Sequence, residues 1–238
     1  MKKPVYTIIL SSVLILISFL CIISFNHRAS EAASSNLPEN KIILIDAGHG
    51  GMDGGATSPT GTMEKHINLS ISQFLREELE KTGYKVMMTR ESDIGLYSDG
   101  TIRQKKNEDL NRRCALKKDT GCNMFISIHL NKFPESKYKG AQVWYSDHEE
   151  SKELAQSLQT GLRNDLDPEN KRQIKAAAGQ YKILRINDTM PAVIVECGFL
   201  SNPQEEELLK TEEYQKKIAQ SLAKSIGEYY NKQSRVKL

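Results

Sequence analysis

From Lys41 onward the chain alternates short, apolar, β-rich runs with longer stretches of helical periodicity, and this alternation admits few architectures. Lys41–Asp46, Tyr84–Thr89, Met124–His129, Ala141–Tyr145 and Ala192–Glu196 read as strands. Glu64–Lys81 sets Ile67, Ile71, Phe74, Leu75 and Leu79 along one helical stripe, and Gly83 follows as a stop. Asp109–Lys118, Ser151–Leu166 and Thr211–Asn231 read as further helices. Strands alternating with helices predict an α/β fold, a single domain whose mostly parallel, twisted central sheet is flanked by helices.

In sheets of that kind, ligands bind beyond the carboxyl ends of the strands. Three chemically active side chains stand there: His49 in IILIDAGHGG, His129 in MFISIHLN and Glu196 in PAVIVECGFLSN. Glu64 differs in opening a helix, within TGTMEKHINLS. Two histidines and one carboxylate leave a fourth tetrahedral position on zinc open, and a further glutamate nearby can move the protons of a water. The pattern predicts a metallohydrolase.

Each residue also has a plainer explanation. An acidic residue in a first helical turn is favoured by the helix dipole alone, which covers Glu64. A carboxylate finishing a buried apolar strand is costly without a partner, so Glu196 demands an ion pair or a chemical role. Asp46 either accepts the ring N–H of a ligand histidine or caps the turn, and the sequence leaves both open. Gly48, Gly50 and Gly51 allow a sharp turn around His49. His66 and His148 stand in polar, solvated contexts.

Charge argues against nucleic acid as a partner. Lys2, Lys3 and Arg28 against Glu31 account for most of the formal +3, leaving 30 basic and 29 acidic residues in the rest of the chain. Residues 6–25, YTIILSSVLILISFLCIISF, form an uncharged apolar run about the length of a membrane-crossing helix. Lys2 and Lys3 before it predict a cytoplasmic tail at residues 1–5, with everything after the run outside the cytoplasm. The run is either a retained anchor or a cleaved signal sequence ending near Ser30-Glu31-Ala32. Small and polar residues over 26–40 suit a linker; a catalytic domain over 41–232 and a tail over 233–238 complete the expected plan. Cys114, Cys122 and Cys197 are odd in number and lack C-x-x-C spacing, so they read as small buried hydrophobes, with a Cys114–Cys122 bridge left open.

Across about Lys41–Tyr230 the chain resembles the zinc-dependent N-acetylmuramoyl-L-alanine amidases of the Amidase_3 family. The resemblance rests on the DAGHGG loop, Glu64-Lys65, Asn68-Leu69, Thr89-Arg90, Leu110 with Arg113, SIHLN and PAVIVECGFLSN. It implies that His49, Glu64 and His129 bind one Zn2+ and that Glu196 is the catalytic acid/base. Cys197 beside Glu196 is the visible departure, and strand alternation turns it to the opposite face. The implied reaction hydrolyses the amide between N-acetylmuramic acid and L-alanine in peptidoglycan glycan strands bearing stem peptides. Arg90 and Arg113 either steer stem-peptide carboxylates or form buried ion pairs.

An N-terminal apolar run ahead of a bare catalytic domain is most similar to the sporulation- and germination-specific members. That similarity implies action on spore cortex, toward muramic-δ-lactam, at the forespore intermembrane space. The stretch between His129 and Glu196 lacks space for a long inserted autoinhibitory helix, so restraint is expected either from localisation or from a separate accessory or regulatory protein. A vegetative cell-wall autolysin and a zinc peptidase or deacetylase acting on peptidoglycan are the alternatives.

Overall fold

A computed structural model describes residues 41–236. The expected anchor or signal sequence at 6–25 and the linker at 26–40 lie outside the described residues. Among the described residues, no helix is long and apolar enough to cross a membrane.

In chain order the elements are β1 (Ile42–Ala47), α1 (Glu64–Lys81), β2 (Lys85–Met88), α2 (Ile102–Asp119), β3 (Met124–Asn131), β4 (Gln142–Tyr145), α3 (Ser151–Leu166), β5 (Lys175–Ala176), α4 (Lys182–Arg185), β6 (Ala192–Phe199), α5 (Pro203–Leu209) and α6 (Glu212–Val236). The six strands form one sheet in the order β2-β1-β3-β6-β4-β5. The β2-β1-β3-β6 half is parallel, and so is the β4-β5 pair. The antiparallel β4-β6 pair joins them, so the sheet is mixed, with the parallel pairings in the majority.

Side-chain parity explains the layers. Ile43, Ile45, Ile126, Ile128, Val193 and Val195 face one side of β1, β3 and β6, where they bury the apolar stripes of α1, α3 and α6. Ile71, Leu75 and Leu79 of α1 are fully buried there, worth about 1.5–3 kcal/mol each against exposure. Leu44, Phe125 and Ile194 point the other way, onto Cys114 of α2 and onto Ile183 and Leu184. A period of two then assigns Asp46, Ser127, His129 and Glu196 to this second face and Cys197 to the first. Cys197 indeed packs in the larger core, and Cys114, Cys122 and Cys197 are all free and buried.

Several boundaries differ from the sequence reading. The helix expected from Asp109 begins at Ile102, on a capping box in which Thr101 and Gln104 exchange hydrogen bonds. The helix α5 follows Asn202, whose side chain accepts from Gln204 N and Glu205 N, with Pro203 in the first turn. This short helix also tethers the loop between β1 and α1. The buried Glu206 carboxylate accepts from the hydroxyls of Ser58, Thr60 and Thr62 through one oxygen.

Candidate metal centre

The carboxyl edge of β1, β3 and β6 gathers all four sequence-selected residues. His129 and Glu196 are register partners across the β3–β6 ladder. Glu64 belongs to a helix packed on the opposite face, but it occupies the first turn of α1 and reaches over the end of β3, where Leu130 N donates to its Oε1 at 3.0 Å. Its Oε2 accepts from Ala56 N at 2.8 Å, and Asn68 Nδ2 donates to Oε1 at 3.1 Å. The carboxylate is therefore fixed before any ion is considered.

Two imidazoles flank it. Glu64 Oε1 lies 2.9 Å from His129 Nδ1, and Glu64 Oε2 lies 3.3 Å from His49 Nε2. The two rings meet edge to face with centroids 4.9 Å apart. His49 sits at φ +62°, a left-handed conformation uncommon for a residue with a Cβ, and Arg113 Nη2 donates to its carbonyl at 2.6 Å. The glycines make room for the rings: a Cβ on Gly48 would stand 2.4 Å from His129 Nε2, and one on Gly55 2.6 Å from both Glu64 Oε2 and His49 Cδ2.

His49, Glu64 and His129 each offer a donor atom within 4.8 Å of the others. The 3.3 Å separation of His49 Nε2 and Glu64 Oε2 matches the edge of about 3.3–3.5 Å expected of a tetrahedron built on Zn–N bonds of about 2.0–2.1 Å, while His129 Nδ1 and Glu64 Oε1, at 2.9 Å, are at hydrogen-bond distance in the metal-free protein. Nitrogen and carboxylate donors suit zinc, and the residues present fit one ion.

Electrostatics separate the two glutamates. Burial favours the neutral form of Glu64, yet hydrogen bonds and charge from His129 and His49 hold its carboxyl far below the usual range. Burial raises Glu196 to about 7, with the Glu64 charge adding to the rise and the histidines opposing it. Among the described residues, Glu196 Oε2 is a buried oxygen without a hydrogen-bond partner. Burial also opposes protonation of His49, but Asp53 and Glu64 outweigh it and lift the ring to about 9 in the metal-free protein. One carboxylate is saturated by its neighbours; the other is left available.

Other candidates resolve differently. Asp46 touches neither histidine ring: its Oδ1 accepts from Thr89 Oγ1 at 2.8 Å and Arg113 Nη1 at 2.6 Å, and its Oδ2 from Ser127 Oγ at 2.5 Å. The acceptor for His49 Nδ1 is Asp53 Oδ2, at 2.8 Å, a residue that sequence reasoning missed. Arg90 and Arg113 are buried and hold main-chain carbonyls of the histidine loop. Arg90 donates to Ala47 O and Gly48 O at 2.8 and 2.9 Å, and Arg113 donates to Ala47 O at 2.8 Å. His66 is exposed and His148 partly so, away from the cluster.

A cavity of about 430 Å³ opens beside Glu196, its lining including the apolar Leu110, Ile183 and Ile194 together with Tyr97, Lys106 and Tyr181. A His–Glu–His donor set next to an unpartnered buried carboxylate, in the wall of this cavity, defines a candidate metallohydrolase. The chain belongs to the N-acetylmuramoyl-L-alanine amidase family, whose model matches residues 43–228. It is 38% identical to the germination-specific N-acetylmuramoyl-L-alanine amidase of Bacillus subtilis, across 91% of each chain. Among solved structures it is similar to the CwlD amidase of Clostridioides difficile, determined in complex with the GerS lipoprotein, at 44% identity and a TM-score of 0.79 over 81% of this chain and 99% of that one. An N-acetylmuramoyl-L-alanine amidase of Clostridium difficile 630 superposes with a TM-score of 0.71 at 29% identity, over 82% of this chain and 98% of the other.

Proposed function

We propose that this protein is a zinc-dependent amidase that cleaves the bond between N-acetylmuramic acid and L-alanine in spore-cortex peptidoglycan, the first step toward the muramic-δ-lactam that germination requires. The observation that carries the chemistry is the shielded, unpartnered Glu196 carboxylate, one strand away from His129. Similarity to a germination-specific amidase over nearly the whole of both chains supports the biological assignment.

His49, Glu64 and His129 would hold the ion. Zinc bound there would polarise the scissile carbonyl and lower the pKa of the attacking water. Glu196 accepts a proton from that water as its oxygen bonds to the lactyl carbonyl carbon. It then returns the proton to the L-alanine nitrogen as the C–N bond breaks. The products are a peptide-free muramic acid carboxylate and a stem peptide with a free amino terminus. A carboxyl that titrates near 7 is suited to both transfers. Asn68, Ala56 N and Leu130 N keep Glu64 out of this proton traffic by occupying its oxygens.

The apolar run at 6–25, preceded by Lys2 and Lys3, supports an extracytoplasmic location, either anchored at the membrane or released from it. The solved complex of the related amidase with a lipoprotein supports an accessory partner here too. Muropeptide analysis of cortex from spores lacking this protein tests the role: muramic-δ-lactam should disappear. Normal lactam with an altered vegetative wall would assign the protein to general wall turnover instead.

A further inference from the structure

We infer that Asp53 is a positioning residue that fixes His49 for metal binding, and that Lys106 of α2 holds Asp53 in place to do so. This rests on the metal-site reading above. His49 Nδ1 lies 2.8 Å from Asp53 Oδ2, while Nε2 faces Glu64 Oε2 at 3.3 Å. A neutral imidazole carries one N–H, and a metal ligand needs its other nitrogen bare. With Asp53 accepting at Nδ1, the lone pair falls on Nε2, the nitrogen on the Glu64 side. Without that acceptor the ring is free to carry its proton on Nε2 or to turn about χ2.

Asp53 is itself held by the fold. Gly50 N donates to Asp53 O at 2.9 Å and Asp53 N to Gly50 O at 3.1 Å, closing the loop immediately after His49. The carboxylate is thus presented by the same turn that places the histidine at its positive φ. Lys106 Nζ, 53 residues away in sequence, reaches Asp53 Oδ1 at 3.1 Å. One oxygen therefore serves the histidine and the other the lysine. Asp53 lies outside the donor cluster formed by His49, Glu64 and His129, so its work is done through the ring. Removing such a carboxylate partner typically weakens metal binding about 10–100-fold.

Zinc affinity of the full-length chain, measured by competition with a chromogenic chelator, tests this. Asp53→Ala should bind zinc about 10–100-fold more weakly. Asp53→Asn, which keeps an accepting oxygen, should recover part of the loss, and Lys106→Ala should fall between Asp53→Ala and the unsubstituted protein. The metal-free Asp53→Asn chain should still unfold cooperatively, with a midpoint lowered at pH 7 by the lost charge beside the protonated His49 ring, so the zinc comparison is made on folded protein. In the zinc-loaded protein, ¹⁵N spectra should place the His49 ring proton on Nδ1. His49→Ala is the control: if it keeps full zinc affinity, the metal-site reading itself falls. If His49→Ala loses zinc while Asp53→Ala stays within about twofold of the unsubstituted protein, well short of the expected loss, the role given to Asp53 is overturned and the metal site stands.

Discussion

Glu196 lies opposite His129 in the parallel β3–β6 register, on the same face of the sheet. Neighbouring strands are about 4.8 Å apart, so this pairing sets a buried carboxylate beside an imidazole without help from any loop. The loops supply what the sheet cannot: Glu64 over the end of β3, and His49 on a turn clamped through its carbonyls by Arg90 and Arg113.

Glu196 should make the metal-free protein less stable as pH rises. Its folded pKa of about 7 lies above the free value of 4.5, so burying the charge costs nothing below 4.5 and progressively more up to about 7. Glu196→Gln should therefore stabilise the metal-free chain at pH 8 by about 3 kcal/mol and leave it unchanged at pH 4. Denaturant unfolding at the two pH values measures this, and equal stability at pH 8 would refute the stored cost.

Asp46 and Arg113 form a buried ion pair of the opposite sign. Burial opposes the charge on Asp46, but Arg113 and the Ser127 hydroxyl hold its carboxyl below the free value of 3.8. Its contribution is complete above that value and drains away as pH falls through the folded pKa. Arg113→Ala should cost about 3–5 kcal/mol at neutral pH. The deficit should shrink in acid, where a protonated Asp46 no longer needs the cation; a deficit that stays constant with pH would show that lost packing dominates.

Gly48 tests how tightly the candidate metal centre is packed. The Cβ of Gly48→Ala would stand 2.4 Å from His129 Cε1 and Nε2, so the ring must leave its place beside Glu64. Stability should fall by about 1–3 kcal/mol and zinc affinity by about tenfold or more. Calorimetry and chelator competition on the same sample read both; unchanged zinc affinity would mean that His129 is not held where the account requires.

The legible parts of the chain were those with dense local signals. The strands β1, β3 and β6 are buried on both faces and so appear as continuous apolar runs, and α1 and α3 follow amphipathic stripes whose ends the sequence marks. The polar first two turns of α2 carry no apolar stripe, and the Thr101–Gln104 capping box was the signal there. The elements β5 and α4 are two and four residues long, too short for periodicity to register. His49, His129 and Glu196 were readable because each closes a strand with a chemically active side chain, whereas Glu64, which the helix dipole alone explains, stood out only beside them and through the family resemblance. Asp53 carries no such signal: a polar residue in a glycine loop looks like turn chemistry, and only the fold shows that it faces His49 Nδ1. The role of Asp46 stayed open in the sequence because its partners Thr89, Arg113 and Ser127 are 43, 67 and 81 residues away.

The central claim, zinc-dependent amide hydrolysis with Glu196 moving the protons, is tested most directly by mass spectrometry of cortex peptidoglycan digested with the zinc-loaded protein and with Glu196→Gln. The account predicts intact stem peptides beginning with L-alanine, together with peptide-free muramic acid. Glu196→Gln should retain zinc while its rate falls by at least about 10²–10⁴-fold. Cleavage within the stem peptide, loss of acetyl groups instead of peptides, or full activity in Glu196→Gln would contradict it.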